Sequence, residues 1–178
     1  MYILEAIIVN NPKELLTRYA TALVDELLIH NKQLAVAESC TGGLVAKAIT
    51  DVSGASNVFH CGVISYVNEI KTEVLGVDKD FLLENGPVNK ETAIMMAEGV
   101  RKLGHADIGI GISGVAGPGP DGGHPEGEVH IALSDGTDNM CVSLDTKTVN
   151  KREYNRELAT LNAINLVLFY LKKNKEEG

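Results

Sequence analysis

The feature that most constrains the fold of this chain is a short apolar run that leads through a turn into a helical pattern. Residues 34–36 are apolar (LAV), residues 37–43 read AESCTGG, and residues 44–49 suit a helix. A strand followed directly by a helix is the repeating unit of α/β folds. The hydroxyl of Ser39 would lie at the helix N-terminus, where free N–H groups and the helix dipole stabilise an anion. A serine that only caps the helix explains the same pattern.

The rest of the chain continues this alternation of strands and helices. The predicted helices cover about residues 12–30, 44–50, 68–75, 90–103 and 151–172, and the predicted strands cover 34–37, 58–67, 107–112, 128–134 and 139–145, with a loop over 77–88. The last two strands are joined by a short turn and should be antiparallel, unlike the strands that helices connect. We therefore predict a three-layer α/β/α sandwich with a mixed, mostly parallel sheet.

The length of the chain predicts one domain. A chain of 178 residues can bury a sizeable core. We place this core at about residues 12–172, with a polar tail at 173–178. The segment 1–10 is either an added strand or a loose arm. Its apolar part is short and is interrupted by Glu5, so we predict neither a signal peptide nor a membrane span.

Charge and cysteine content narrow the class of protein and its compartment. The net charge is −8, and no cluster of lysine and arginine residues offsets it, which argues against a nucleic-acid partner. Cys40, Cys61 and Cys141 are an odd number of cysteines without the CxxC spacing. This pattern favours free thiols in a reducing compartment over a disulfide framework, and it predicts a cytoplasmic protein.

Three polar stretches follow predicted strands, at the positions where ligands bind in open α/β sheets. They are the Ser39 turn, the stretch from Tyr66 to Lys71, and a Gly/Pro-rich loop that begins at Ser113. Ser39 requires a proton acceptor to act as a nucleophile. Tyr66 or Lys71 can supply one, Lys71 only if burial lowers its pKa. Cys40 is the alternative nucleophile, because a helix N-terminus favours a thiolate, although a cysteine beside a cap is more often a buried apolar residue.

Other residues that bind metals or anions are less clearly arranged. His60, His124 and His130 are scattered, without a further ligand at metal-binding spacing, so we predict no metal site. The Gly/Pro-rich loop lacks a Walker signature but can contact a ligand through its backbone. Arg152 and Arg156 lie one turn apart in the last predicted helix. One of them can bind a phosphate or a carboxylate, or both can face solvent.

Three motifs, in this order, resemble the C-terminal domain of the CinA family. They are AESCTGG at residues 37–43, YxNExK at 66–71 and SGVAGP at 113–118, and the similarity runs from about residue 12 to 172. Stand-alone members of this family include nicotinamide-nucleotide amidases. The resemblance implies hydrolysis of nicotinamide mononucleotide to nicotinate mononucleotide and ammonia, with no metal or cofactor. It also implies a homo-oligomer. The larger N-terminal domain of full-length members, linked to pyrophosphatase activity, has no counterpart in this sequence.

The family pattern implies a role for each matching residue. Ser39 would be the nucleophile, assisted by Lys71 and Tyr66. Ser113 stands at a Ser or Thr position of the family and would contact the substrate. Arg152 matches the arginine that opens the last helix, and it would bind the substrate together with Ser113 and the glycine loop.

The same reading assigns the oxyanion site to the turn, where the backbone N–H groups of Thr41, Gly42 and Gly43 would bind the developing charge. Two stretches depart from the family pattern. Residues 150–152 read NKR where relatives often have GDR, and the loop carries the extra residues 119–120. Both lie where the substrate would bind, so an amidase for a different small amide is an alternative. A non-catalytic module that binds a nucleotide or a protein partner is another.

Overall fold

The computed structural model describes residues 5–176 and shows one sheet with helices on both faces. The helices are α1 (Pro12–Ile29), α2 (Leu44–Thr50), α3 (Asn68–Leu75), α4 (Lys79–Asn85), α5 (Lys90–Leu103) and α6 (Arg152–Glu176). The strands are β1 (Leu34–Glu38), β2 (Phe59–Ile64), β3 (Ile108–Gly114), β4 (Glu128–Ser134) and β5 (Asn139–Asp145), and a 3₁₀ turn covers Ala55–Asn57.

The five strands lie in the order β2-β1-β3-β4-β5. β1 pairs in parallel with β2 and β3, whereas β4 is antiparallel to both β3 and β5. Every strand except β4 therefore points in the same direction, and the predicted α/β fold with a mixed, mostly parallel sheet is confirmed. The carboxyl ends of β1, β2 and β3 lie side by side, so the three polar stretches that follow them meet at one end of the sheet.

Apolar residues form a core on each face of this sheet. On one face, the isoleucines of β3, Ile108, Ile110 and Ile112, are buried in one cluster with apolar residues of α1, α2 and α6. On the other face, Met96 and Val100 of α5 are buried with apolar residues of β1, α3 and α4. Each helix layer therefore covers one side of the sheet, which gives the predicted three layers.

The glycines of β3 let α5 lie directly against the sheet. A Cβ at Gly109 would lie 2.0 Å from the carbonyl oxygen of Ala97, and one at Gly111 would lie 2.1 Å from that of Ala93. No side chain fits in this space, so the backbones of strand and helix are in contact. This packing fixes the path of β3 and therefore the position of Ser113 near its carboxyl end.

Two elements differ from the prediction. The segment 77–88 was expected to be a loop, but it contains α4, which begins after Asp78 and buries Leu82. The carboxylate of Asp78 accepts a hydrogen bond from the N–H of Phe81 at 2.7 Å, which is a standard helix cap. A helix of two turns with one buried residue is too short to show a clear period. β2 ends at Ile64 rather than at residue 67, so Tyr66 lies in the connection beyond it.

The two ends of the chain pack differently from the sequence expectation. Residues 5–10 form no strand but lie on α6, where Ile7 exchanges two hydrogen bonds with the side chain of Asn162. α6 continues to Glu176, so residues 173–176 are helical rather than a separate tail. The remaining parts of both predicted end segments, residues 1–4 and 177–178, lie outside the described residues. Between residues 5 and 176, no helix has the length and apolar composition required to cross a membrane.

Candidate active site

Side chains from three strand ends and from the start of α6 surround one cavity of about 380 Å³. The residues that line it include Ser39 and Cys40 after β1, Tyr66, Asn68 and Lys71 after β2, residues 113–121 at the end of β3, Pro87 and Val88 before α5, and Arg152 at the start of α6. This volume is within the usual range of small-molecule sites. The structure therefore brings together five of the predicted site residues.

Ser39 and Lys71 lie next to each other in the cavity. Lys71 Nζ lies 3.4 Å from Ser39 Oγ and donates a second hydrogen bond to the carbonyl oxygen of Ser65 at 2.7 Å. Adjacent parallel strands create this contact, because Glu38 of β1 stands beside Ile64 of β2 and the residues that follow them are neighbours. Lys71 belongs to the first turn of α3, and its side chain reaches Ser39 from there.

Lys71 is a buried amine, with only 1% of its surface exposed. Burial lowers the pKa of Lys71 below the ordinary value of a lysine, since the charged form loses its hydration; the thiol of Cys40 has a smaller, opposite effect. A lysine of lowered pKa is more readily neutral and can then accept a proton. Ser39 and Lys71 are therefore candidates for a nucleophile and its general base.

The Ser39 turn is held by the carboxylate of Glu38, a residue that the sequence analysis did not select. Glu38 is 1% exposed and accepts hydrogen bonds from the N–H groups of Gly43 (2.9 Å), Val45 (3.2 Å) and Ala46 (2.8 Å). This carboxylate therefore occupies the N-terminus of α2, where the helix dipole favours a negative charge. The sequence did contain a signal for Glu38: it is an acid at the end of an otherwise apolar strand, just before a helix.

This arrangement corrects the expected oxyanion site. The N–H of Gly43 already binds Glu38, and the N–H of Gly42 donates to the carbonyl oxygen of Ser39 at 3.1 Å. The carbonyl of Thr41 accepts two hydrogen bonds from Arg156. None of Thr41, Gly42 and Gly43 lines the cavity, and the N–H groups of Gly42 and Gly43 are already bonded within the turn.

Arg152 and Tyr66 stand together on another side of the cavity. Arg152 Nη1 donates to the carbonyl of Gly117 in the Gly/Pro-rich loop, and Nη2 donates to the hydroxyl of Tyr66 at 3.1 Å. Among the described residues, the Tyr66 hydroxyl has this arginine as its hydrogen-bond partner and does not bond directly to Ser39 or Lys71. Tyr66 thus lines the same cavity but belongs to the arginine side of it.

The sequence left open whether Arg152 or Arg156 faces the site, and the structure answers this question. Arg152 lines the cavity, whereas Arg156, one turn further along α6, donates through Nε and Nη2 to the carbonyl oxygen of Thr41. Arg156 is therefore a structural link between α6 and the Ser39 turn.

Ser113 also lines the cavity, and its hydroxyl donates to the carbonyl of Pro87 at 2.6 Å.

Comparison with known sequences decides the family. The profile of the CinA C-terminal domain matches residues 16–171. This chain belongs to the CinA family. A competence-damage inducible protein of Acetivibrio thermocellus is 41% identical over 96% of this CinA chain, which covers 40% of that relative. A protein of the same description from Thermoanaerobacter pseudethanolicus is 47% identical over 84% of the chain, or 36% of the relative. The chain thus spans about two fifths of the length of these curated relatives.

Solved structures of the family have the same fold as this CinA domain. The competence/damage inducible protein CihA of Agrobacterium tumefaciens has a TM-score of 0.82 at 29% identity, with 88% of this chain and 95% of that one covered. A CinA superfamily protein of Klebsiella pneumoniae has a TM-score of 0.83 at 28% identity, with coverage of 89% and 98%. Their lengths correspond to this domain, unlike the longer relatives.

The remaining candidate residues of the CinA domain are Cys40, which lines the cavity, and three histidines. Burial raises the pKa of the Cys40 thiol to about 12, so a thiolate at this position is strongly disfavoured. His60 contacts the carbonyl of Gly104, and His124 and His130 both contact the carboxylate of Glu128. Across residues 5–176, no group of three or more histidine, cysteine or acidic residues is arranged to hold a metal ion.

Proposed function

We propose that this CinA domain is an amidase that hydrolyses the carboxamide of nicotinamide mononucleotide, giving nicotinate mononucleotide and ammonia. The observation that carries the proposal is the contact of Lys71 Nζ with Ser39 Oγ, at 3.4 Å beside the cavity. A serine hydroxyl next to a buried amine of lowered pKa is an arrangement that supports nucleophilic acyl transfer. The choice of the nucleotide as substrate comes from the resemblance to family amidases.

The reaction would proceed through an ester on the serine. Ser39 Oγ attacks the carboxamide carbon while Lys71 Nζ accepts the hydroxyl proton. The C–N bond then breaks, and the Lys71 ammonium protonates the leaving nitrogen, which departs as ammonia. Water next attacks the ester carbonyl and gives a proton to Lys71. Collapse of this second intermediate releases nicotinate mononucleotide, and the proton returns from Lys71 to Ser39 Oγ.

The other side of the cavity would hold the ribose and phosphate. A guanidinium has five N–H donors, and Arg152 uses two of its nitrogens on Gly117 and Tyr66, so donors remain for a phosphate. Through its hydroxyl, Tyr66 would orient the reacting groups or relay a proton. Ser113 and the Gly/Pro-rich loop line the same cavity, and we expect them to contact the ribose.

The setting of the reaction is part of the same proposal. We expect a cytoplasmic homo-oligomer, because the cysteine pattern favours a reducing compartment and the family resemblance implies self-association. The reaction written above uses side chains of this chain only, so it requires no metal and no cofactor. Light scattering of the purified protein measures the oligomeric state, and a chelator should leave the rate of ammonia release unchanged.

The decisive test compares two neighbouring residues of the turn. Purified protein should release ammonia from nicotinamide mononucleotide, and Ser39→Ala should lower kcat by roughly 10³-fold or more, as removal of a catalytic nucleophile does. Cys40→Ala is the matched control and should keep kcat within about fivefold, because a buried thiol of raised pKa is not a nucleophile. Full turnover by Ser39→Ala would contradict the proposal.

Two other outcomes would redirect the assignment. A thermal shift with nicotinamide mononucleotide but no ammonia release by the wild type would favour a non-catalytic nucleotide-binding module. Hydrolysis of other compounds in a panel of pyridine nucleotides and simple amides, without hydrolysis of the mononucleotide, would favour a different amide substrate.

A further inference from the structure

A buried carboxylate lies between the Gly/Pro-rich loop and the start of α6. Glu126, which is 6% exposed, accepts hydrogen bonds from the N–H groups of Gly119 (2.8 Å), Asn150 (3.1 Å) and Lys151 (2.7 Å). The first of these residues belongs to the loop that lines the cavity, and the other two directly precede Arg152. One side chain therefore joins the two segments that meet at the cavity.

The loop is shaped around this carboxylate. Gly117 has a φ of +91°, and a Cβ there would lie 2.3 Å from Cδ of Glu126. The buried side chain of Asn155 adds a second link, since its Nδ2 donates to the carbonyl of Ala116 at 3.0 Å and approaches Glu126 Oε1 at 3.4 Å. The glycine at position 117 is thus required both by its backbone conformation and by the glutamate behind it.

We infer that Glu126 is a positioning residue for substrate binding: its carboxylate fixes the Gly117 carbonyl and the Arg152 side chain relative to each other. Arg152 is the first residue of α6 and donates to Gly117, so both partners of this contact are attached to segments that Glu126 holds. The inference rests on the proposed function, in which Arg152 binds the anionic group of the substrate.

Glu126 also occupies backbone donors beside the cavity. The N–H groups of Asn150 and Lys151, just before α6, both donate to this carboxylate and are therefore not free to bind a substrate anion. The hydrogen bonds from Lys151, Gly119 and Asn150 lower the pKa of Glu126, so the carboxylate is ionised at neutral pH. In the proposed function, the side chain of Arg152 binds the substrate anion next to these occupied N–H groups.

The test is Glu126→Gln, which keeps the size of the side chain and removes its charge and one strong acceptor. The control is Asp135→Asn, because Asp135 also accepts two backbone N–H bonds, from Thr137 and Asp138, but lies in the β4–β5 turn at the other end of β4. We expect Glu126→Gln to raise KM for nicotinamide mononucleotide about tenfold or more with kcat within about threefold, the pattern of lost binding. Asp135→Asn should leave both constants unchanged.

Two further measurements separate positioning from a general loss of structure. Phenylmethylsulfonyl fluoride reacts with an activated serine and needs only the Ser39–Lys71 pair, so its rate of reaction with Glu126→Gln should equal that of the wild type. Amide hydrogen exchange at residues 119, 150 and 151 should be faster in Glu126→Gln and unchanged in Asp135→Asn. Glu126→Asp, which restores the charge on a shorter side chain, should recover part of the lost affinity.

An unchanged KM in Glu126→Gln would overturn the inference. A sulfonylation rate that falls in parallel with kcat/KM would also overturn it, because Glu126 would then support the whole fold. If the wild type is sulfonylated at Ser39 but releases no ammonia from the mononucleotide, the proposed function fails separately. The positioning claim is then decided by hydrogen exchange, and unchanged exchange at the three amides would refute it.

Discussion

The Ser39 turn and the Gly/Pro-rich loop are held in the same way but over very different distances along the chain. In each, a buried glutamate accepts three backbone N–H groups. Glu38 takes them from residues five, seven and eight positions later. Glu126 takes one from a residue seven positions earlier and two from residues 24 and 25 positions later.

The Gly/Pro-rich loop therefore depends on tertiary structure more strongly than the Ser39 turn does. The three hydrogen bonds of Glu38 can form as soon as β1 and α2 have formed, because they are local. The bonds from Arg156 of α6 to the Thr41 carbonyl are the distant contact of this turn. The loop that lines the substrate space acquires its shape only when α6 has packed on the sheet. We therefore expect changes at the turn and its lysine to act mainly on kcat, and changes at the loop and α6 to act mainly on KM.

The largest effect is expected for Lys71→Met, which keeps the length of the buried side chain and removes the base. kcat should fall by about 10²- to 10⁴-fold, the usual contribution of a general base. The free energy of unfolding should not fall, because the variant no longer buries an amine. Ammonia release and urea denaturation measure the two quantities. A kcat within tenfold of the wild type would show that Lys71 is not the base.

The pH dependence of the same variant gives an independent check. The pKa of Lys71 is lowered in the folded protein, so between the folded and unfolded values the unfolded chain binds more protons and stability rises with pH. The stability gained by Lys71→Met should therefore be greatest below the folded-state pKa and should disappear towards the ordinary lysine value. The wild-type kcat/KM should rise with pH and level off below that ordinary value.

A smaller effect is expected for Arg152→Lys, with Arg156→Lys as its matched control. Arg152→Lys keeps the charge but loses the planar group that contacts Gly117 and Tyr66, so KM should rise about 10- to 100-fold, as for the loss of a bidentate contact. Arg156→Lys alters the link to Thr41 and should change stability more than KM. Equal KM values for both variants would remove Arg152 from the substrate site.

Sequence patterns were sufficient for the parts of the molecule that local chemistry determines. The strand, turn and helix around Ser39, the buried face of α5 and the antiparallel last pair of strands follow from periodicity and turn residues. The convergence of Ser39, Lys71 and Ser113 on one cavity was expected if their three strands are neighbours, and the strand order meets that condition. The family resemblance added the expected roles of these residues, which stay proposals.

The sequence did not show contacts between distant segments. Arg152 and Arg156 are one helical turn apart, and only the packing of α6 decides that the first reaches Gly117 and the second reaches Thr41. Glu126 has the composition of an ordinary loop acid, and its role depends on N–H groups beyond β5. The packing of Ile7 on Asn162 joins residues 155 positions apart. Such contacts have no local periodicity that a sequence can display.

The smallest effect tests the local half of the comparison. Glu38→Gln leaves one acceptor oxygen where the carboxylate has two, so part of the helix cap is lost and the free energy of unfolding should fall by about 1–3 kcal/mol. Asp51→Asn is the control, since Asp51 lies at the opposite end of α2 in an exposed ion pair with Lys47 and should cost about 0.5 kcal/mol or less. Because the turn is held locally, Glu38→Gln should also lower kcat by about threefold to tenfold while KM stays unchanged. Urea denaturation measures the free energy of unfolding, and steady-state kinetics measure kcat and KM. A rise in KM without a fall in kcat would mean that the turn contributes to substrate binding, and the division between a local catalytic half and a tertiary binding half would be wrong.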